Sequence, residues 1–130
     1  MDNARQEIVD LTARLLDSIA SGDWEIYAGL CAADLTAFEP EACGHRIEGL
    51  EFHRFYFDNL SHRHAVNTTL CQPHVRFAGP DAAVIAYVRL QQKMSGDGVP
   101  VTTRHEETRV WQRVNGRWLH VHFHRSAGPA

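Results

Sequence analysis

Three imidazoles stand at alternate positions in the string WLHVHFHR: His120, His122 and His124. In a strand, residues two apart share a face and lie roughly 6.5–7 Å from one another, close enough for two imidazoles to share a metal ion. A third in line fits tetrahedral geometry poorly, and no nearby Cys or acid completes the set, so no metal site is expected here. The same alternation sets Trp118 beside the three histidines and puts Leu119, Val121, Phe123 and Arg125 on the opposite face. Arg125 thus ends an apolar face. Arg89 shares a face with Ile85 and Tyr87, and His53 lies on a helical stripe with Leu50, Phe57 and Leu60. Burying a guanidinium without a partner costs several kcal/mol, so each such arginine must find an anion or water. The candidate internal partners are Glu107, which shares a face with Arg109 in an unbulged strand, and Glu39 or Glu41.

The elements that must hold these groups follow from periodicity. Ile8, Leu11, Leu15, Leu16 and Ile19 recur at helical spacing between Arg5 and Ile19, and Gly22 supplies a C-terminal glycine. Asp23 can cap a second short helix reaching Leu30. LTAFEPEA reads as an extended stretch stopped at Pro40, and residues Gly44 to Gly49 as a short hairpin or loop. A third helix spans about Leu50 to Leu60. With Phe52, Phe55, Tyr56 and Phe57 around it, that helix is expected to be covered on most sides. After Ser61 the period becomes alternating, and Asn67–Phe77, Ala82–Met94, Val99–Val114 and Arg117–Arg125 read as four long strands. AGPD and SGDG mark turns, and Asn115-Gly116 is a strong two-residue hairpin signal. Helices followed by an antiparallel meander point to one α+β domain over residues 1–130, with helices on one sheet face.

Composition removes several classes of function. The chain has 130 residues, 44% hydrophobic and 22% charged, enough to bury a core without staples. Acids and bases interleave around a formal charge of −3, with no basic stripe, so nucleic acid is not an expected partner. Lys93 is the only lysine, so bidentate pairing with carboxylates falls to arginine. Cys31, Cys43 and Cys71 form neither a CxxC nor a zinc pattern and read as reduced, packing thiols in a cytoplasmic protein. The N-terminus lacks a signal layout and no apolar run approaches the ~18 residues of a membrane span, so no membrane partner is expected. No cofactor motif is found.

Trp118 with three imidazoles is too bulky and too weakly charged for a solvated face, and Trp111 and Val110 leave neither side of the neighbouring strand plainly polar. The three helices can cover one sheet face only. The expected cover for the other is a second copy of the chain, with Trp118, His120, His122 and His124 at that interface. Such an assembly should weaken below about pH 6, where imidazole becomes charged.

LTAFEPEA (35–42), EGLEFHRFYFDNL (48–60), AYVRL (86–90), EETRVWQRVNGRW (106–118) and VHFHRSAG (121–128) resemble the association, or hub, domain of calcium/calmodulin-dependent protein kinase II. The similarity runs from about Arg5 to Pro129. It implies the cone-like fold of nuclear transport factor 2 and cystatin-like proteins, a curved sheet wrapped round a long helix with a deep pocket. It also implies dimers that assemble into rings. Arg89, Arg109 and Arg125 match positions where the family directs arginines into its cavity, and Tyr27 and His53 match further lining positions. No kinase catalytic domain, glycine-rich nucleotide loop or calmodulin-binding segment is found in this chain, so no kinase activity is expected of it. The segment SHRHAVN after Leu60 is about two residues shorter than in the kinase hub and lies near the implied pocket mouth, so ligand choice and ring size do not carry over.

Two readings of the cavity follow. If its acids do not balance its arginines, it is an anion site for a small carboxylate. Otherwise it holds a structural Arg–Glu network. Enzymes of the same superfamily (isomerases, dehydratases and polyketide cyclases) work within this cavity. Here His53, Tyr27 and a glutamate supply the residue types for acid–base work without a diagnostic motif, and no catalytic residue is assigned.

Overall fold

Asp2 starts the first helix by accepting a hydrogen bond from the backbone N–H of Arg5 at 2.8 Å, satisfying one of the donors a helix start leaves unpaired. In the computed structural model, which describes residues 1–60 and 66–127, this helix, α1, runs Asn3–Ser21. Its stripe buries Ile8, Leu15 and Leu16. Gly22, at φ 73°, ends it: the Gly22 N–H donates to the Ile19 carbonyl and the Asp23 N–H to that of Ser18, a Schellman closure. Asp23 then caps α2 (Trp24–Leu30) by accepting from the Ile26 N–H at 3.1 Å. The third helix, α3 (Glu51–Asn59), has no fully buried residue, and Phe55 is 61% exposed. The cover expected on most of its sides is therefore not supplied by the described residues: α3 packs through His53 and Phe57, and among the described residues nothing buries its other flank.

Six strands form one sheet: β1 (Cys31–Phe38), β2 (Ile47–Glu48), β3 (Val66–Phe77), β4 (Ala82–Met94), β5 (Pro100–Val114) and β6 (Arg117–Arg125). The order β2-β1-β6-β5-β4-β3 keeps the expected antiparallel meander from β3 to β6. It adds a pairing the sequence did not announce, because β1 lies parallel to β6. The sheet is therefore mixed, with β6 in its interior. Asn115 (φ 52°) and Gly116 (φ 76°) both take positive φ, as a tight two-residue hairpin turn requires. The shortened segment expected after Leu60 lies, over residues 61–65, outside the described residues.

Besides a register shift between Cys31 and Thr36 where β1 meets β6, two irregularities bend the antiparallel part of this sheet, each adding local twist where a ladder gains a residue. One lies between Cys71 and His74 on β3, where Gln72 has φ 52° and Pro73 has no N–H to donate. The other lies on β6: Trp111 pairs with His120 but Val110 pairs with His122, so Val121 is the extra residue. This bulge corrects the face assignment read from simple alternation. Trp118 and His120 sit on the helix side with Trp111, buried at 8% and 0% exposure, while His122 and His124 point to the other side. The core lies between the helices and this inner face, where the Trp111 indole N–H donates to Thr12 Oγ1 on α1 at 3.1 Å.

Candidate functional site

The strand register builds the site row by row. Tyr87, Glu107 and Arg125 lie directly opposite one another on β4, β5 and β6, and Ile85, Arg109 and Phe123 form the next row on the same inner face. Arg89 stands one step further along β4. Side chains of neighbouring and diagonal positions on one face can touch, and these do. The Glu107 carboxylate, fully buried, accepts from the Tyr87 hydroxyl at 2.5 Å and from Arg109 Nη2 at 3.2 Å. Its other oxygen lies 3.1 Å from Arg89 Nη1. Arg109 also donates through Nε to the Tyr87 oxygen at 2.9 Å, and its guanidinium lies 4.4 Å from the centre of the Phe123 ring. One acid thus serves two arginines.

Electrostatics follow from this arrangement. Burial alone would raise the Glu107 pKa, but Arg109 and Arg89 overcome it and hold the carboxyl below its ordinary value. Burial works against the Arg109 charge as well, yet Tyr87 and Glu107 keep it firmly protonated. Burial pulls the Arg89 pKa down, and Glu107 offsets this only in part. The Tyr87 hydroxyl is pushed up, first by burial, so it stays a neutral donor.

The helices close the other side. Tyr27 on α2 lies against His53 and Phe57 of α3, with ring centres 6.0 and 5.0 Å away. His53 Nε2 is 2.7 Å from Glu39 Oε1, and both side chains are nearly enclosed, at 11% and 6% exposure. Glu39 and Glu41 flank Pro40 at the start of the 3-10 turn Pro40–Ala42 that follows β1. Glu41 carries both of its oxygens to Nη2 of Arg125. Together these residues enclose a cavity of about 370 Å³, lined by Tyr27, His53, Arg89, Arg109 and Arg125 with Phe57 and Phe123. His53 Nδ1, Arg89 Nε and Arg125 Nε are buried without a hydrogen-bond partner among the described residues.

Of the residues singled out in the sequence, Tyr27, His53, Arg89, Glu107, Arg109 and Arg125 are therefore brought together. Trp118, His120, His122 and His124 are not: the β6 bulge divides them two and two. Trp118 packs near Phe77 and under Arg113. His120 Nε2 is 3.3 Å from Arg109 Nη1 and its Nδ1 is 3.5 Å from Cys31 Sγ. Arg109 can only donate, so His120 is neutral with its proton on Nδ1. Burial, then Arg109, holds its pKa well below the usual imidazole value. Tyr87 was not singled out, although its place two residues before Arg89 on a buried face was a usable signal. Among the described residues no cluster of three His, Cys, Asp or Glu is arranged to hold a metal ion, and no helix is long and apolar enough to cross a membrane.

Comparison with known proteins gives consistent matches. A family model described as the calcium/calmodulin dependent protein kinase II association domain matches residues 4–129. The chain is 50% identical over 127 residues to the delta subunit of calcium/calmodulin-dependent protein kinase type II from Oryctolagus cuniculus, covering 96% of this chain and 24% of that relative's length. Among solved structures, the kinase hub homology domain of Chlamydomonas reinhardtii superposes with a TM-score of 0.90 at 47% identity, covering 95% of this chain and 98% of that one. The association domain of the C. elegans kinase gives 0.91 at 48% identity, covering 95% of each chain. A nuclear transport factor 2-like superfamily protein from Salmonella enterica, 24% identical with a TM-score of 0.77 and covering 97% of this chain and 91% of that one, shares the fold.

Proposed function

The chain belongs to the calcium/calmodulin-dependent protein kinase II association-domain family, and from that membership we propose that it is a self-assembling hub whose arginine-lined cavity takes a small carboxylate. The observation that carries the assembly is the outer sheet face. On β4 that face presents Val84, Ala86, Val88 and Leu90, all half-buried and uncharged, with Val110 opposite Val84 on β5. Beside them Phe38 lies against His122 and His124 and stays 39% exposed. An apolar sheet face of this kind is best covered by a copy of itself. Light scattering should give a particle several times the 14.7 kDa chain mass, and Val88→Glu should lower it while circular dichroism stays unchanged. A lone 14.7 kDa species at micromolar concentration would end this reading. His122, whose pKa is lowered first by burial, lies on that face, and acid should loosen the assembly through it. An unchanged particle mass from pH 8 to pH 5 counts against that part.

For the cavity, three arginines and two buried guanidinium N–H groups without a partner among the described residues, Arg89 Nε and Arg125 Nε, support an oxyanion ligand. Calorimetric titration with short mono- and dicarboxylates on the wild type and on Arg109→Ala tests it, and no heat with any of them would refute it. One observation favours acid–base chemistry as a second reading. Glu39 fixes His53 through Nε2, which leaves Nδ1 with the lone pair a general base needs. Incubation with a small keto acid in D2O, followed by NMR, should then give α-proton exchange that His53→Ala abolishes. Exchange no faster than in buffer ends this second reading. Three free cysteines support a reducing, cytoplasmic setting, which fractionation of the cells would check.

A further inference from the structure

Arg125 lies opposite Glu107 in the β5–β6 register, yet it does not use that acid. Glu107 is committed to Arg89, Arg109 and Tyr87. The Arg125 guanidinium turns instead to Glu41, which arrives from the 3-10 turn after β1. We propose that Glu41 is a built-in competitor for the anion site, and that a ligand carboxylate enters by taking Arg125 from it. This inference rests on the reading of the cavity as a carboxylate site.

Exposure separates the three acids of the site. The side chain of Glu107 is 0% exposed and that of Glu39 6%, whereas that of Glu41 is 40% exposed and that of Arg125 only 14%. Moving Glu107 would strand Arg89 and Arg109 in the interior, and Glu39 is itself enclosed with no short path to water. Glu41 alone can rotate its carboxylate into water, and the mostly buried Arg125 it leaves is then the cation an incoming carboxylate meets. The geometry of the pair also leaves room for a better partner. Both Glu41 oxygens sit on the single nitrogen Nη2, and Arg125 Nε is buried without a partner. A free carboxylate could instead engage Nε and Nη2 together, in the two-pronged arrangement guanidinium prefers.

Charge counting adds a selectivity. Among the described residues, Arg89, Arg109 and Arg125 face Glu39, Glu41 and Glu107, three charges against three when His53 is neutral. With Glu41 in place the site is neutral; with Glu41 swung out it carries one positive charge. A monocarboxylate restores neutrality. A dicarboxylate brings a second negative charge that no described cation is free to meet.

The test is calorimetric titration of the intact assembly with butyrate and glutarate at pH 7. It is run on wild type, Glu41→Gln, Arg125→Gln and the double variant, each checked for native mass and circular dichroism. Partly exposed ion pairs are modest, so removing the competitor should tighten butyrate about two- to fivefold. Butyrate should bind better than glutarate, and the gain should vanish when Arg125 is already absent, as for two groups acting through one contact. Equal or weaker butyrate binding to Glu41→Gln would overturn the proposal while leaving the cavity reading intact. A gain that persists in the Arg125→Gln background would also overturn it, as a field effect of one lost acid. No binding of butyrate to any of the four proteins would refute the cavity reading itself.

Discussion

Replacing Glu107 by glutamine should be the most damaging isosteric change in this protein. The substitution keeps the volume and leaves an oxygen for the Tyr87 hydroxyl, so no cavity is created. It removes the one charge that neutralises Arg89 and Arg109, whose side chains are 7% and 2% exposed. Breaking a buried ion pair by deleting one member costs about 3–5 kcal/mol, because the remaining charge cannot reach water. For a domain of 130 residues, at roughly 4 °C per kcal/mol, the thermal midpoint should fall by roughly 10–20 °C. Thermal and urea unfolding must be compared at one protein concentration, since association itself adds apparent stability. The sign with pH is also fixed. The Glu107 carboxyl is held below its ordinary value, so its contribution is present above the unfolded pKa of about 4.3 and is lost as pH falls through the native one. The gap between wild type and variant should therefore close in acid. Adding Arg89→Met to Glu107→Gln should recover part of the loss by removing one stranded cation. A thermal shift below about 3 °C for the single variant would refute the reasoning, since it would mean that the two guanidinium groups do not depend on this acid.

Other consequences are more local. His120 is buried neutral in the native state but takes a proton near pH 6.5 when unfolded, so the native protein binds fewer protons in mild acid. Its share of stability should fall by at most about 1.4 kcal/mol per pH unit below that value; urea midpoints from pH 7 to pH 5 should drop more steeply for wild type than for His120→Asn. The Cys31 thiol is pushed up to about 12 by burial, whereas Cys43 is exposed, so mass spectrometry after brief alkylation at pH 8 should find Cys43 modified and Cys31 untouched until the protein is unfolded. Thr12→Val removes the acceptor of the buried Trp111 indole N–H and should cost about 1–3 kcal/mol in urea titration, more than the loss of one exposed hydroxyl would.

What could be read in advance was whatever depends on local spacing. Ile8, Leu15 and Leu16 announced α1, Asn115-Gly116 announced its turn, and apolar neighbours announced that Arg89 and Arg125 face inward. The division of Trp118 and His120 from His122 and His124 could not be read, because alternation assumes an unbroken ladder and one inserted residue at Val121 reverses every assignment before it. The contact of Glu107 with Arg109 was legible from their shared face, but the partners of the other two acids were hidden. Glu39 or Glu41 was the open choice, and which of them meets an arginine depends on where the turn after β1 lands: Glu41 reaches Arg125 and Glu39 goes to His53. Pairing of β1 with β6 joins Thr36 to His122, 86 positions apart, and so far a separation leaves no local signature.

That pairing also sets a timetable for biogenesis. During synthesis β1 has only the two-residue β2 to pair with until the chain has been translated as far as Arg125. Before then β1 and the β3–β5 meander are separate pieces with open edges, and neither the cavity nor the outer face is complete. If the outer face is the docking surface proposed for it, a nascent copy has no finished one to offer its neighbours on the same messenger. The last of these strands to be made thus slots into the middle and joins the two pieces at once.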